Sequence, residues 1–402
     1  MNMEEHSNPH PRVSLLSILL AYLEMGVTAF GVAIIPKLRA LVLRKGWLSE
    51  EEMNEGFAMV QLYPGPMMVD FSAYVGYRLR GVPGAIAAAT GFILPSFALM
   101  LILSAVYFGT GTAAVAWVAR MFIGLESIVV GIIVHLALDF GERMLKGRIE
   151  AVIALLAFAA LLFKVSPVLI VATSLGLGAL LLSPVAGTLG MRHTGMPAPE
   201  PLSRRRIFAI ALVVLAVIGA AVLAAGMQND LGRMGLSFFK IGSVAFGNGI
   251  TIMPLVQADV VEANHWLSPA QFADGIALGQ ITPGPVLITA AFVGYKLGGA
   301  AGAALATFAM FAPSIAMTLI FSEVFTRLRS LRRIRGALAG VLASFVGLIV
   351  VLALQLGSTA ITGPAALTLA AAALVAVRFF KLDVVWVFAG GMAIWAAMGM
   401  YP

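Results

Sequence analysis

The triplet Pro-Gly-Pro occurs twice inside strongly apolar sequence, as Pro64-Gly65-Pro66 and again as Pro283-Gly284-Pro285. Proline has no amide hydrogen with which to continue a helix, and it drives the residue before it out of the helical region. Each triplet must therefore interrupt any helix that contains it. In a bilayer, non-helical backbone is tolerated only where protein buries it or where it lines a polar cavity. Paired breaks at corresponding places in two halves are the sequence pattern that marks a binding site in transporters.

The composition places these breaks in a membrane. Of the 402 residues, 60% are hydrophobic and only 11% are charged, whereas a soluble domain carries about 25% charged residues. The formal charge of +7 does not indicate a nucleic-acid partner, because the arginines lie in short loops between apolar runs, where they orient membrane proteins. The chain has no cysteine and only five scattered histidines, so we expect no metal, no cofactor and no thiol chemistry. We predict an all-α polytopic membrane protein in contact with lipid.

The two halves of the chain repeat each other. The offset runs from 216 (Glu24 to Lys240) to 219 (Gly65 to Gly284). Further matches are Trp47-Leu48-Ser49 with Trp266-Leu267-Ser268, Gln61 with Gln280, Val75-Gly76-Tyr77 with Val293-Gly294-Tyr295, Pro95-Ser96 with Pro313-Ser314, and Gly131 with Gly347. Single matches are weak, but this many in one order at one offset indicate an internal repeat.

Each half holds roughly six apolar runs of spanning length, and one further run, at 207–226, joins the halves. We therefore predict two inverted six-helix repeats and about 13 spans in all. The predicted boundaries are a cytoplasmic N-terminal tail (1–12), a first transporter repeat (13–186), a basic linker with a linking transmembrane helix (187–233) and a second transporter repeat (234–402). An odd number of crossings before the second repeat turns it upside down in the bilayer.

The distribution of basic residues supports this topology. With the N-terminus inside, most lysines and arginines fall in cytoplasmic loops, as the positive-inside rule requires. The triplet segments, 57–77 and 270–295, are then broken helices that cross the membrane. Re-entrant hairpins are the alternative, and they would place the arginines of 327–335 outside.

The breaks also suggest chemistry. A helix that restarts with Pro66 or Pro285 at its first position leaves the next amides, from Met67 and Val286 onward, without intrahelical partners at the positive end of a helix dipole. Such amides bind anions without any charged side chain. The alternative is a paired proline kink that only shapes the helix bundle.

The halves offer different side chains at this place, since Asp70 corresponds to Thr289 and Glu24 to Lys240. We therefore expect the anion to bind mainly on the second half, while a carboxylate carries a coupling proton. The predicted substrate-binding residues are Gln61, Pro64, Gly65, Pro66, Met67, Lys240, Asn248, Gln280, Thr282, Pro283, Gly284, Pro285, Val286 and Thr289, and the predicted proton-coupling residues are Glu24, Asp70 and Glu126. For Asp70 the alternative is a residue that only satisfies the helix dipole, and for Glu126 it is a structural pairing with a neighbouring helix.

The order of Trp47, Gln61, Pro64–Pro66, Val75–Tyr77, Gly84-Ala85 and Leu94–Ser96 resembles the chromate transporter family, and its repetition resembles the long, two-domain members. The resemblance implies a multi-pass protein of a bacterial or archaeal inner membrane that exports chromate, driven by the membrane gradient, with sulfate as a related oxyanion. Members usually show Phe-Gly-Gly in the first span of each half. This chain has Phe30-Gly31-Val32 and Phe246-Gly247-Asn248 instead, a difference that bears on the substrate more than on the fold.

The sequence thus favours secondary active efflux of an inorganic oxyanion, most simply chromate, coupled to the proton gradient or the membrane potential. The alternatives are a transporter of sulfate or another oxyanion, and an anion channel of the same architecture. An enzyme would need a nucleophile with its base, or a metal constellation, and neither is visible. A homo-oligomer is compatible with the sequence.

Overall fold

The computed structural model describes residues 13–28, 34–61, 63–109, 116–182, 203–247, 249–328 and 332–398. In these ranges the chain forms fifteen α-helices and a single pair of two-residue strands. The helices are α1 (Leu15–Thr28), α2 (Ile34–Arg44), α3 (Glu50–Val60), α4 (Met67–Gly109), α5 (Ala116–Met144), α6 (Arg148–Leu162), α7 (Pro167–Leu181), α8 (Arg204–Gly226), α9 (Asp230–Ser243), α10 (Met253–Gln257), α11 (Pro269–Ile281), α12 (Thr289–Leu328), α13 (Arg332–Ala360), α14 (Pro364–Arg378) and α15 (Val384–Ala397), and the strands are β1 (Gly65–Pro66) and β2 (Phe246–Gly247).

Five helical segments of the described chain are long and apolar enough to cross a bilayer. They are Met67–Gly109, Ile123–Met144, Arg204–Gly226, Val286–Val324 and Gly336–Ala360. Four shorter apolar helices, α1, α7, α14 and α15, have 14 or 15 residues. The chain is therefore an all-helical, multi-pass membrane protein, although fewer helices reach spanning length than the predicted 13.

Helix α4 is two helices joined by a sharp reversal. Gly81 has a φ of +63°, which favours glycine. Gly76 packs so closely that, if it carried a Cβ atom, this atom would lie 2.2 Å from the carbonyl oxygen of Gly84. Residues eight apart on a straight helix would be separated by about 12 Å. The chain thus turns back at residues 80–81, and helix α4a (67–79) packs antiparallel to helix α4b (82–109).

The second half turns back in the same way. Gly299 has a φ of +57°, and a Cβ atom on Gly294 would lie 2.3 Å from the carbonyl oxygen of Gly302. Helix α12a (289–297) therefore packs antiparallel to helix α12b (300–328).

Each Pro-Gly-Pro triplet forms the tip of a helical hairpin. In the first half, the rings of Phe57 on α3 and Phe71 on α4a stack with their centroids 3.9 Å apart. Arg78 and Glu52 form an ion pair with an N–O distance of 2.6 Å. In the second half, a Cβ atom on Gly279 of α11 would lie 2.4 Å from the hydroxyl of Thr289. The contacts pair early residues of one arm with late residues of the other, so the arms are antiparallel.

This arrangement corrects the prediction that 57–77 and 270–295 each cross the membrane. The helices do break at the triplets, as predicted. However, the arms of 11 to 13 residues are too short to reach the far side of a bilayer of about 30 Å, and they fold back on each other instead.

Both hairpins begin at the repeated Trp-Leu-Ser motif. Ser49 caps α3 and Ser268 caps α11, each in a capping box with the residue three positions later, Glu52 or Gln271. The same cap at Ser49 and at Ser268 fixes where each inward arm starts.

The first segment of each half also folds back. The rings of Tyr22 on α1 and Trp47 beyond α2 lie 6.4 Å apart, which requires α2 to return alongside α1. In the second half, Lys240 on α9 and Asp259 beyond α10 line one cavity. The first apolar run of each half, at 13–36 and at 234–256, is therefore also a pair of short segments rather than a single crossing.

Helices α5 and α13, which correspond to each other in the repeat, run in opposite directions. They match at an offset of 216. A Cβ atom added to Gly141 would lie 3.7 Å from Cγ1 of Val346, and one added to Gly357 would lie 3.9 Å from Cγ1 of Val130. Because rising numbers on α5 meet falling numbers on α13, the two helices are antiparallel.

The halves also exchange their last helices. A Cβ atom on Gly347 of α13 would lie 2.1 Å from the carbonyl oxygen of Ala154 on α6, and one on Gly131 of α5 would lie 2.2 Å from that of Ala370 on α14. These contacts are related by the same offset of 216. Each half therefore packs its closing helices on the other half, and glycine permits the close approach.

Candidate functional site

The tip of the first hairpin docks on the crossing helix of the second half. A Cβ atom on Gly65 would lie 2.9 Å from Cβ of Ser314 on α12b. The hydroxyls of Tyr63, just before the triplet, and Thr318, one turn after Ser314, share a 2.8 Å hydrogen bond. All four residues are buried.

The tip of the second hairpin docks in the equivalent way on the first half. Gly284, with a φ of +105°, lies against Ser96 on α4b, and its added Cβ atom would stand 3.0 Å from that side chain. Ser96 and Ser314 belong to the repeated Pro-Ser pair. Each triplet glycine thus meets the serine of the opposite half, well inside the helix bundle.

Both tips contact one stretch of chain that follows α9. Strands β1 and β2 pair in parallel, with Gly65 opposite Phe246 and Pro66 opposite Gly247. Two residues later, Gly249 has a φ of +83°, and a Cβ atom added to it would lie 3.2 Å from Cγ of Leu287, at the start of the second return arm. The stretch 246–249 therefore joins the first tip to the second helix start.

Asp70 occupies the first of these tips. Its side chain has no exposed surface, and neither carboxylate oxygen has a hydrogen-bond partner among the described residues that meets normal geometry. Ser314 and Thr318 lie beside it, but their hydroxyls donate to the backbone of their own helix. The first tip therefore contains a buried carboxylate of the chain itself, beside Gly65.

The second tip has no carboxylate. Thr289, which corresponds to Asp70, donates its hydroxyl hydrogen to the carbonyl oxygen of Val286, and Thr282 donates to that of Leu278. Both hydroxyls are thus engaged by backbone. The side-chain amide of Gln280 is buried, and its Nε2 finds no acceptor among the described residues, so this tip holds an uncommitted donor.

The helices restart one residue later than expected. Pro66 belongs to β1 and α4 begins at Met67, while Pro285 caps a 3₁₀ turn, Val286–Ile288, that leads into α12. The two prolines are buried, whereas Met67 and Val286 are half-buried, as are the outer prolines Pro64 and Pro283.

Other predicted site residues do not gather at the tips. Gln61 and Glu24 are exposed. Lys240 is exposed as well and lines a cavity of about 750 Å³ together with Lys164 and Asp259. Asn248 lies outside the described residues.

Glu126 lies at a third place. It is buried on α5, where it adjoins Asp274 on α11. Asp274 accepts a 2.6 Å hydrogen bond from the hydroxyl of Tyr107 at the end of α4b. Sequence reasoning missed Asp274 and Tyr107, since neither belongs to a repeated motif, whereas the repeated Pro-Ser pairs could have indicated Ser96 and Ser314.

Metal chemistry has no visible support. The described part of the chain contains no group of three or more histidine, aspartate or glutamate side chains placed to hold an ion. The site therefore consists of backbone, amides and buried hydroxyls, with isolated carboxylates nearby.

Comparison with known proteins agrees with this architecture. The family model described as chromate transporter matches the chain twice, at residues 16–180 and 232–396. The chain is 30% identical over 393 residues to the chromate transport protein of Cupriavidus metallidurans, covering 96% of this chain and 93% of the relative. It is 32% identical over 344 residues to the chromate transport protein of Pseudomonas aeruginosa, covering 84% and 80%.

An archaeal relative is similar to the same degree. The chain is 31% identical over 356 residues to an uncharacterized transporter of Methanocaldococcus jannaschii, covering 88% of this chain and 86% of the relative. No solved structure matches the chain. The double match over most of the chain, together with these relatives, shows that the protein is a transporter rather than an enzyme and belongs to the chromate transporter family in its long, two-domain form.

Proposed function

We propose that this protein is a secondary active transporter that exports an inorganic oxyanion across the inner membrane, with chromate as the first candidate substrate. The observation that carries the proposal is the meeting of two helical hairpins from opposite halves at one short stretch of chain, 246–249. Interrupted helices that meet in this way supply backbone donors to a substrate inside the bundle.

The hairpins enter from opposite faces of the membrane in this proposal. The antiparallel packing of α5 and α13 supports an inverted repeat. The N-terminal tail, 1–12, then lies in the cytoplasm, and 187–233 carries the chain across to the second repeat. Each tip reaches the middle of the bilayer, where a substrate can be approached from either side.

The oxyanion binds mainly at the second tip. At the first tip, the buried carboxylate of Asp70 would repel a dianion. At the second tip, the first-turn amides of the return arm and Nε2 of Gln280, which has no acceptor among the described residues, are donors without a competing carboxylate. Thr282 and Thr289 shape this tip locally, because each hydroxyl donates to a backbone carbonyl three or four residues earlier in the chain.

Asp70 serves as the proton carrier. A carboxylate without a hydrogen-bond partner is costly in an apolar interior, so it is stable there only when protonated or when a cation is close. Moving a proton on and off this group beside the anion site would link oxyanion movement to the proton gradient.

Chromate and sulfate are both tetrahedral dianions, and backbone amides bind either. Discrimination must then come from the size of the cavity and from oxygens left without donors. Val32 and Asn248, which replace the second glycine of Phe-Gly-Gly, are the sequence difference that bears on substrate choice.

Flux into proteoliposomes tests the proposal. The purified protein is offered chromate, sulfate, molybdate and phosphate, with and without imposed pH and voltage gradients. We expect chromate accumulation against its own gradient when a gradient of protons or voltage is imposed. Flux that only follows the anion's own electrochemical gradient would indicate a channel. Preference for another anion would reassign the substrate.

A further inference from the structure

A buried pair of acids lies away from the tips, where α11 of the second half packs on α5 of the first. Asp274 is 5% exposed and Glu126 is 6% exposed, and the two side chains adjoin. Tyr107, at the end of α4b, donates a 2.6 Å hydrogen bond to Oδ2 of Asp274. The other oxygen, Oδ1, has no partner of normal geometry among the described residues.

No described cation compensates this pair. Helices α13 and α15 also pack on α11, and α15 has no ionisable residue while α13 has none after Arg335. The ammonium of Lys296, on α12a, lies 5.2 Å over the ring of Phe108, the neighbour of Tyr107, rather than on the acids. The side chain of Arg120, earlier on α5, lies outside the described residues.

Two adjoining carboxyl groups in an apolar interior cannot both be ionised, because the repulsion and the loss of hydration add together. The tyrosine hydroxyl directs its hydrogen at Asp274 and so favours the charge on that residue. The proton then resides on Glu126, which can donate it toward Asp274 in a charge-assisted hydrogen bond.

We propose that Asp274 and Glu126 form a proton-binding site that holds a single shared proton and fastens the second hairpin to α5. When the proton leaves for water, two negative charges face each other and α11 separates from α5. The acids thereby act on the second tip through one helix, because Gln280 lies six residues after Asp274 on α11.

This inference rests on the proposed function only for its role in transport. The site itself is a property of the folded chain, and it can be observed without any substrate. Its role is to couple the proton state to the position of the hairpin that carries the oxyanion site, in addition to the proton carried by Asp70.

Infrared difference spectroscopy on the purified full-length protein carrying Asp70→Asn, titrated with pH in the absence of substrate, tests the site, because the carboxyl of the first tip then contributes no band. We expect a protonated-carboxyl band that disappears in Glu126→Gln and changes in Asp274→Asn. Tyr107→Phe retains both acids and should shift the band without abolishing it. Asp139→Asn, on the same helix but paired with Arg143 at 3.0 Å, is the matched control and should leave the band unchanged.

A band that survives both acid substitutions would overturn the proton site. If either acid variant fails to fold, an unshifted band in Tyr107→Phe would overturn it equally. Chromate flux in proteoliposomes then tests the coupling: Glu126→Gln should bind chromate but lose the response to a pH gradient. A wild-type protein that shows the band but moves no chromate would refute the proposed function and leave the proton site standing.

Discussion

Gly65 lies directly against the carboxylate of Asp70, so that a Cβ atom on Gly65 would stand 1.7 Å from Asp70 Oδ2. The same atom would lie 2.9 Å from Cβ of Ser314 in the opposite half. The first triplet therefore needs glycine for contact on two sides at once, and not only for a turn.

Gly65→Ala should accordingly displace the first tip. We expect a loss of stability of about 1–3 kcal/mol, typical of overpacking a dense interior, and a strong reduction of chromate flux. Thermal unfolding and proteoliposome flux measure the two effects. Gly219→Ala is the control, because Gly219 lies on α8 with open space around it. Equal behaviour of the two variants would contradict the close contact at the tip.

The second hairpin can be closed by a disulfide. In a chain without cysteine, Gly279→Cys combined with Thr289→Cys places one Cβ atom 3.6 Å from the other, within the range of disulfide geometry. On a continuous helix these positions would be about 15 Å apart. We expect a cross-link on oxidation, detected by mass spectrometry of the digested protein.

The control pair for this cross-link is Gly279→Cys with Gly219→Cys on the linking helix. If the hairpin pair stays reduced under conditions that oxidise an accessible dithiol, residues 270–295 cross the membrane as a single interrupted span after all.

Gln280 and Gln61 occupy equivalent positions, but only the first is buried with a free donor. Gln280→Ala should weaken chromate binding roughly tenfold or more, since a hydrogen bond to a charged group contributes about 1.5–3 kcal/mol. Gln61→Ala is the matched control and should bind chromate as the wild type does. Binding is measured by calorimetry on the purified protein, and equal affinities would place the anion elsewhere.

Asp70→Asn keeps the shape of the side chain and removes its charge and its proton. We expect chromate to bind at least as well as in the wild type, because the repulsive carboxylate is gone, while the response of flux to a pH gradient is lost. Asp139→Asn again controls for removing an acid. A larger loss of chromate affinity in Asp70→Asn than in Thr289→Val would move the anion site to the first half.

The repeat, the helix breaks and the caps could all be read from the sequence, because each rests on local residue chemistry. Pro66 and Pro285 each stand directly before a restarting helix, and Ser49 caps the helix that follows it. Family membership followed from the same motifs. The course of the chain between the breaks could not be read in this way.

Apolar length alone does not separate one crossing from a hairpin of the same total length. The difference depends on contacts between distant residues, such as Gly76 with Gly84, and on the reversal at Gly81. The acid pair of Asp274 and Glu126 was hidden for the same reason, since the residues lie in different halves and belong to no motif.

In the proposed arrangement, two hairpins enter the bundle from opposite faces of the membrane and meet at their tips. Single cysteines at Arg80 and Ala300, both exposed at the reversals that end the return arms, test it in a chain with no other thiol. A membrane-impermeant maleimide applied to sealed, oriented vesicles should label Arg80→Cys from one face and Ala300→Cys only from the other. Labelling of both positions from the same face would rule out the entry of the two hairpins from opposite faces.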